Sequence, residues 1–335
     1  MLDVLRINLC SPLSLAFVLG VFSRLVRSEL SLPRELYASL SIYLLLALGL
    51  KGGVELSHST FNELVWPAVV TIGLGCLTPV TSYLALRKLG KFGVADAAGI
   101  AAHYGSVSAV TFIAAQQFVQ TMGHPAEGYM PTLLTLLESP GIHIALGIGA
   151  IQTARLAAQQ PASGTDIDSK RRPLSEVLHE VLTARSMILL VGGLVVGCIM
   201  GVKGYEPVKP FFEGMFKGAL TLFLLEMGLS AGARLGDLKT AGPFLLGFGM
   251  VMPVIHGVLG VLLGHWAGLS IGGATVLGTM AASASYIAAP PAVRMTLPEA
   301  NPTLYLTAAL AITFPFNIVL GIPLYFQVAK MLGGQ

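Results

Sequence analysis

Residues 101–112 read AAHYGSVSAVTF. The flanks, VADAAGIAA (94–102) and IAAQQFV (113–119), suit an apolar helix, yet Gly105, Ser106, Ser108 and Thr111 fall within seven positions. A helix that merely filled space would not gather small and hydroxylated residues at its centre. The pattern returns in AASASYIAAPPAV (281–293), with Ser283, Ser285 and Tyr286 ahead of Pro290-Pro291. Inside a bilayer, a broken helix is tolerated only against protein or a water-filled cavity. At such a break the new N-terminus offers unpaired N–H groups and about half a positive charge, which is an anion site. The new C-terminal end offers carbonyl oxygens that suit a small hard cation. Residues 105–108 supply one break and residues 282–285 its counterpart. Two half-helix ends meeting at mid-membrane are therefore expected to hold a small anion beside a cation. The hydroxyls of Ser106, Ser108, Thr111, Ser283 and Ser285 each donate and accept. The plain alternative is that small residues let helices pack closely; recurrence at matching places weighs against it.

The rest of the chain supplies the membrane setting. It has 335 residues, 54% hydrophobic and 11% charged, with a mean hydropathy of +0.76. Soluble domains carry roughly 25% charged residues, more than twice as many. A spanning helix needs ~20 mostly apolar residues, so there is room for about ten. The first apolar run, 13–22, leads into Ser23 and Arg24 with no small-residue cleavage site, and reads as a short first span. Cys10, Cys76 and Cys198 show neither metal-ligand nor disulfide spacing. A net charge of +3 without a basic block does not suggest nucleic acid. No nucleophile–base set, transition-metal cluster or organic-cofactor motif stands out, so an enzyme is not expected.

Apolar runs between polar breaks give spans near 12–26, 36–50, 62–86, 94–118, 131–154, 182–202, 214–232, 241–266, 270–293 and 302–330. A polar linker at 158–180 divides the chain into halves, 1–157 and 181–335. With the N-terminus outside, fourteen of the 20 lysines and arginines fall on inner loops, the side that positive charge favours. Both termini then face out, and the odd span number per half sets the halves in opposite orientations. LLLALGLKGGVEL (44–56) resembles FLLEMGLSAGARL (223–235), pairing Gly49 with Gly228 and Gly53 with Gly232. Ser106 then pairs with Ser283, Ser108 with Ser285, and Pro140 with Pro315. Inverted repeats with interrupted spans are the pattern of secondary transporters.

Ionisable residues in apolar context are few. Glu138, just before Pro140, is a functional residue by default. Glu226 reads as a helix–helix hydrogen bond, Asp96 as a helix cap, and His103, His143 and His256 as packing residues. Asn317 either reaches the site or packs, and Tyr286 closes one side of it. No Lys or Arg lies near the serine motifs, which points to a small, singly charged anion rather than one needing an Arg clamp.

GSVSAVTFIAAQQF (105–118), LLESPG (136–141) and AASASYIAAPPAVRMTLPEANPTLYLTAAL (281–310) resemble the sodium-dependent bicarbonate transporter family of cyanobacteria and other bacteria. The resemblance implies an all-α integral membrane protein with ten spans in two inverted five-helix repeats, spans four and nine being interrupted. It implies sodium-coupled bicarbonate uptake by an elevator-like movement of a core against a gate. It also implies a homotrimer in the plasma membrane and a PII-like cytoplasmic regulator. Carried over, the bicarbonate residues are Gly105, Ser106, Val107, Ser108, Ala109, Thr111, Ser283, Ala284 and Ser285. Sodium, the coupling ion, falls to Ser108, Glu138, Ser283, Ser285 and Tyr286. The chain departs from the cyanobacterial pattern at Tyr286 and Glu138, both Asp there, and at Ala284 and Val110, both Ser there. Losing one carboxylate and two hydroxyls bears on how many sodium ions are held. A sodium symporter of another small anion, a sodium–proton antiporter and a non-transporting membrane receptor are the other readings.

Overall fold

The structure is a computed structural model that describes residues 6, 8–57, 61–159, 183 and 185–334. The expected linker lies almost wholly outside the described residues. All regular structure among the described residues is helical. The first half holds α1 (Pro12–Leu25), α2 (Arg34–Leu56), α3 (Phe61–Lys88), α4 (Val94–Tyr104), α5 (Ala109–Thr121) and α6 (Met130–Gln159). The second holds α7 (Arg185–Tyr205), α8 (Phe216–Ala233), α9 (Leu238–Trp266), α10 (Ile271–Ala281), α11 (Ala289–Thr296) and α12 (Pro302–Leu332).

Seven stretches among the described residues are long and apolar enough to cross a membrane. Val94–Thr121 counts as one although α4 and α5 are separate helices, and Phe216–Trp266 joins α8 to α9. Pro12–Leu25 and Ile271–Ala281 are shorter apolar helices. Local chemistry sets many of the ends. Ser11 caps α1 by accepting from the Ser14 N–H (3.2 Å), with Pro12 in the first turn. Ser270 caps α10 through the Gly273 N–H (3.0 Å). In α12, Pro315 has no N–H to give, and π-type stretches lie on both sides of it, Thr307–Thr313 and Asn317–Gly321.

The helices sort into two groups by packing. α2 lies most closely on α7, and α1 on α8. Both seams are built on glycine. A Cβ on Gly49 would collide with the α7 backbone at Leu190 and Gly193, and one on Gly53 with Leu194. Across the other seam, Gly20 and Gly228 meet backbone to backbone. Close backbone approach of this kind drives helix association where lipid removes the hydrophobic incentive. The second group gathers α3, α4 and α6 with α9, α10 and α12 around the two interrupted segments. Over an 18-residue apolar window, Val94–Thr121 is 94% buried against 28% for Ile188–Tyr205, so the broken segment is central and α7 peripheral. Trp66 and Trp266, the only two tryptophans, sit exposed and edge to face, centroids 5.9 Å apart, at the start of α3 and the end of α9. That is where an amphipathic ring belongs at a membrane–water interface.

Candidate functional site

The first interruption spans residues 105–108. Gly105 closes the last turn of α4 onto the Ala101 carbonyl (2.8 Å) and rests on Pro79 of α3 and Gly141 of α6. A Cβ on Gly141 would run into the Gly105 carbonyl, so the chains cross where no side chain fits. Ser108 then caps α5. Its Oγ accepts from the Thr111 N–H (3.2 Å) and from Thr111 Oγ1 (2.9 Å).

The second interruption spans residues 282–288 and is tied to the first by two crossed hydrogen bonds. The Ser108 N–H donates to Ser283 Oγ (2.9 Å), and the Ser285 N–H donates to the His103 carbonyl (2.8 Å). Ser283 in turn donates to the Met280 carbonyl (2.8 Å). Ser285 Oγ accepts from the N–H groups of Ala288 (3.3 Å) and Ala289 (3.4 Å) as α11 begins. Asn317, in a π-type stretch of α12, braces this break by donating to the Ala282 carbonyl (2.8 Å), while its own carbonyl accepts from Tyr325 (3.1 Å).

A small chamber opens where the breaks meet. Val107, Ser108, Ala109, Ser285, Tyr286 and Ile287 line it from the breaks, Glu138 from α6 and Leu45 from α2. Its volume is about 10 Å³, near the least that admits one water. Ser108, Ser285 and Glu138 are each at most 5% exposed. No lysine, arginine or histidine is among its lining residues. The Tyr286 hydroxyl is buried near Ser108 but outside hydrogen-bonding geometry.

The remaining sequence-derived residues fall around this chamber rather than in it. Ser283 links the breaks, Thr111 serves the Ser108 cap, and Ala284 is buried in the neighbouring apolar cluster. Gly105 is a packing residue. Ser106 is 2% exposed with no hydrogen-bond partner for its hydroxyl. Leu45 and Ile287 were not legible in advance, since one more aliphatic residue in an apolar run carries no signal.

Of three lone polar residues, Asp96 departs from its simplest reading. Asp96 does not cap its own helix. Gly93 holds the cap position, and the Asp96 carboxylate accepts from the Asn301 N–H (2.8 Å) ahead of α12. Glu226 accepts from Ser230 on its own helix (3.4 Å) and also from the Leu32 backbone N–H ahead of α2, so it joins α8 to the neighbouring chain. His103 packs, as expected, stacked on Tyr305 at 4.5 Å with its Nδ1 on the Gly99 carbonyl. Among the described residues, no cluster of His, Cys, Asp and Glu is arranged to hold a metal.

Fold and site together define a multi-pass, all-helical membrane protein with a buried polar chamber where two interrupted helices meet. The chain belongs to the Na+-dependent bicarbonate transporter superfamily, whose family model matches residues 12–330. No curated protein matches it.

Proposed function

We propose that this protein is a secondary transporter of the plasma membrane that takes up bicarbonate at the expense of a sodium gradient. The observation that carries the reading is the chamber formed by two serine-capped helix breaks with a buried carboxylate, in a chain of this family. Ser108 Oγ already accepts two hydrogen bonds from Thr111, and Ser285 Oγ two from the start of α11. What each hydroxyl has left to give is its proton, which an anion oxygen accepts. At the tip of α5 the amides of Ala109 and Val110 have no earlier turn to satisfy, so they add N–H groups and the positive end of the dipole.

Glu138 and the carbonyl ends of α4 and α10 suit sodium. A carboxylate and a bicarbonate brought into one dry chamber repel, and a sodium ion between them removes the repulsion. Neither ion then fills the site well alone, which is the coupling.

The architecture we assign is ten spans in two inverted five-helix repeats, 1–157 and 181–335, with both termini outside. In its favour, α1 on α8 is the mirror of α7 on α2 if α1 matches α7 and α2 matches α8. The sequence-matched glycines Gly49 and Gly228 sit in just these two seams. α1, α2, α7 and α8 form the gate; the remaining helices form the core. A chamber too small for bicarbonate must widen to load, and Leu45 of the gate is the wall that leaves when the core slides past it.

Labelled bicarbonate uptake into proteoliposomes, with and without an inward sodium gradient, tests the proposal. Accumulation that requires sodium is the expected result. Sodium-driven proton flux without bicarbonate would make the protein an antiporter, and absence of flux would make it a receptor.

A further inference from the structure

A second, larger chamber is walled by the same two helices, α2 and α5, as the buried one. Its volume is about 240 Å³, and its walls include Leu48 and Lys51 of α2, Gln116 and Gln120 of α5, and Glu127 of the loop before α6. Lys51 and Gln120 are exposed, so it opens to solvent on the side of the α5 C-terminus. The buried chamber uses the same two helices further down, with Leu45 on α2 and Ala109 on α5. Leu45 and Leu48 are three residues apart, and Ala109 and Gln116 seven, so each pair shares one helix face. Seven residues of helix rise about 10 Å. Phe112 and Ile113 occupy the intervening turn of α5. With Leu45 and Leu48 they belong to one apolar cluster and are at most 4% exposed.

From this continuity, and resting on the transport reading above, we infer that the α2–α5 cleft is the entry route. The outer chamber is a hydrated antechamber, and Leu45, Leu48, Phe112 and Ile113 are the apolar partition that closes it. The antechamber suits both ions. Lys51 lines it together with Glu55 and Glu127 among glutamine amides, so both signs of charge are present.

A third cavity, about 190 Å³, lies on the other flank of α5 between α1, α8 and α12, with Thr121 on its wall. Its lining mixes apolar residues such as Leu13, Phe118, Leu224 and Ile322 with polar ones such as Asn8, Ser14 and Lys217, and Gln117 lines both it and the antechamber. Among the described residues, none of its walls comes from α2, so it is not part of the α2–α5 cleft.

Gln120 and Thr121 are consecutive exposed residues at the end of α5 that line opposite cavities, which makes a controlled pair. In a background where Cys10, Cys76 and Cys198 are replaced and sodium-dependent uptake persists, each is changed to Cys. Right-side-out vesicles are then treated with a membrane-impermeant cationic methanethiosulfonate. Gln120→Cys is expected to lose about tenfold of its sodium-dependent bicarbonate uptake, and Thr121→Cys less than about twofold. Block at Thr121→Cys, with or without block at Gln120→Cys, overturns the route, as does block at neither. Absence of sodium-dependent uptake by the unsubstituted protein would sink the transport reading itself, so the two failures are distinct. The partition has its own readout. Leu48→Ala should raise the rate at which Ala109→Cys reacts with an external maleimide by about tenfold, and an unchanged rate rejects it.

Discussion

The two interruptions carry nearly the same residues and do unequal work. In the first, Ser108 sits directly before α5, and the amides of Ala109 and Val110 lie open behind its cap. In the second, Ser285 stands four residues ahead of the first residue of α11 and uses its oxygen on Ala288 and Ala289. The next two residues, Pro290 and Pro291, have no N–H at all. One tip still has donors to offer an anion, while the other has its donors capped or deleted. Matching residues in a repeat therefore do not imply matching roles. In the proposed transporter the first break would hold the anion, while the second shapes the chamber through Tyr286 and is tied to the first through Ser283.

The largest effect should follow from disturbing the crossing that both breaks lean on. Gly141→Leu forces a side chain into the Gly105 carbonyl, and the nearest neighbours there are all Gly105 backbone atoms, which cannot swing away. Overpacking costs about 1–3 kcal/mol where side chains can give, and more where they cannot. The variant should lose most of its folded yield and its thermal transition in detergent. A normal melt would mean that the break is not held against α6.

Glu138→Gln should come next. It keeps the shape of the side chain and removes the charge that balances sodium. The sodium concentration for half-maximal uptake should rise at least about tenfold, worth ~1.4 kcal/mol, with a smaller change in folded yield. An unaltered sodium dependence would separate the carboxylate from the cation.

The inequality of the breaks is tested by the serine pair. Ser108→Ala removes a donor to the anion and the cap of α5, and capping alone is worth ~1 kcal/mol. The bicarbonate KM should rise roughly tenfold. Ser285→Ala removes one donor and two long hydrogen bonds, and should raise KM about threefold. If Ser285→Ala is the more severe, the anion lies at the second tip and the assignment is reversed.

Much of this was legible in the sequence. Helices lie where the apolar runs and their polar breaks put them, because twenty apolar residues bounded by Gly, Pro or Arg leave little choice in lipid. Both breaks were legible for the converse reason, since Gly-Ser-Val-Ser and Ser-Ala-Ser-Tyr are costly in an uninterrupted apolar rod. What escaped was every role decided by a distant partner. Asp96 resembles a helix cap until Asn301 arrives from some two hundred residues away. Leu45 belongs to the chamber only because α2 packs across it. Among five hydroxylated residues of one chemical type, nothing local tells a linker such as Ser283 from a chamber-lining residue such as Ser108.

Ser106 gives the smallest effect and the finest test. It was grouped with the anion residues because it sits in the break, but its hydroxyl is buried without a partner and outside the chamber lining. An unsatisfied buried hydroxyl costs roughly 1–3 kcal/mol of desolvation, so Ser106→Ala should leave the thermal midpoint unchanged or raise it by a few degrees. Uptake and KM should stay within about twofold, a shift of ~0.4 kcal/mol. A large loss of uptake in a stable Ser106→Ala protein would mean that this hydroxyl finds its partner only in the loaded transporter. The anion would then sit deeper, on the α4 side of the break, and Ser108 would be its gate instead of its ligand.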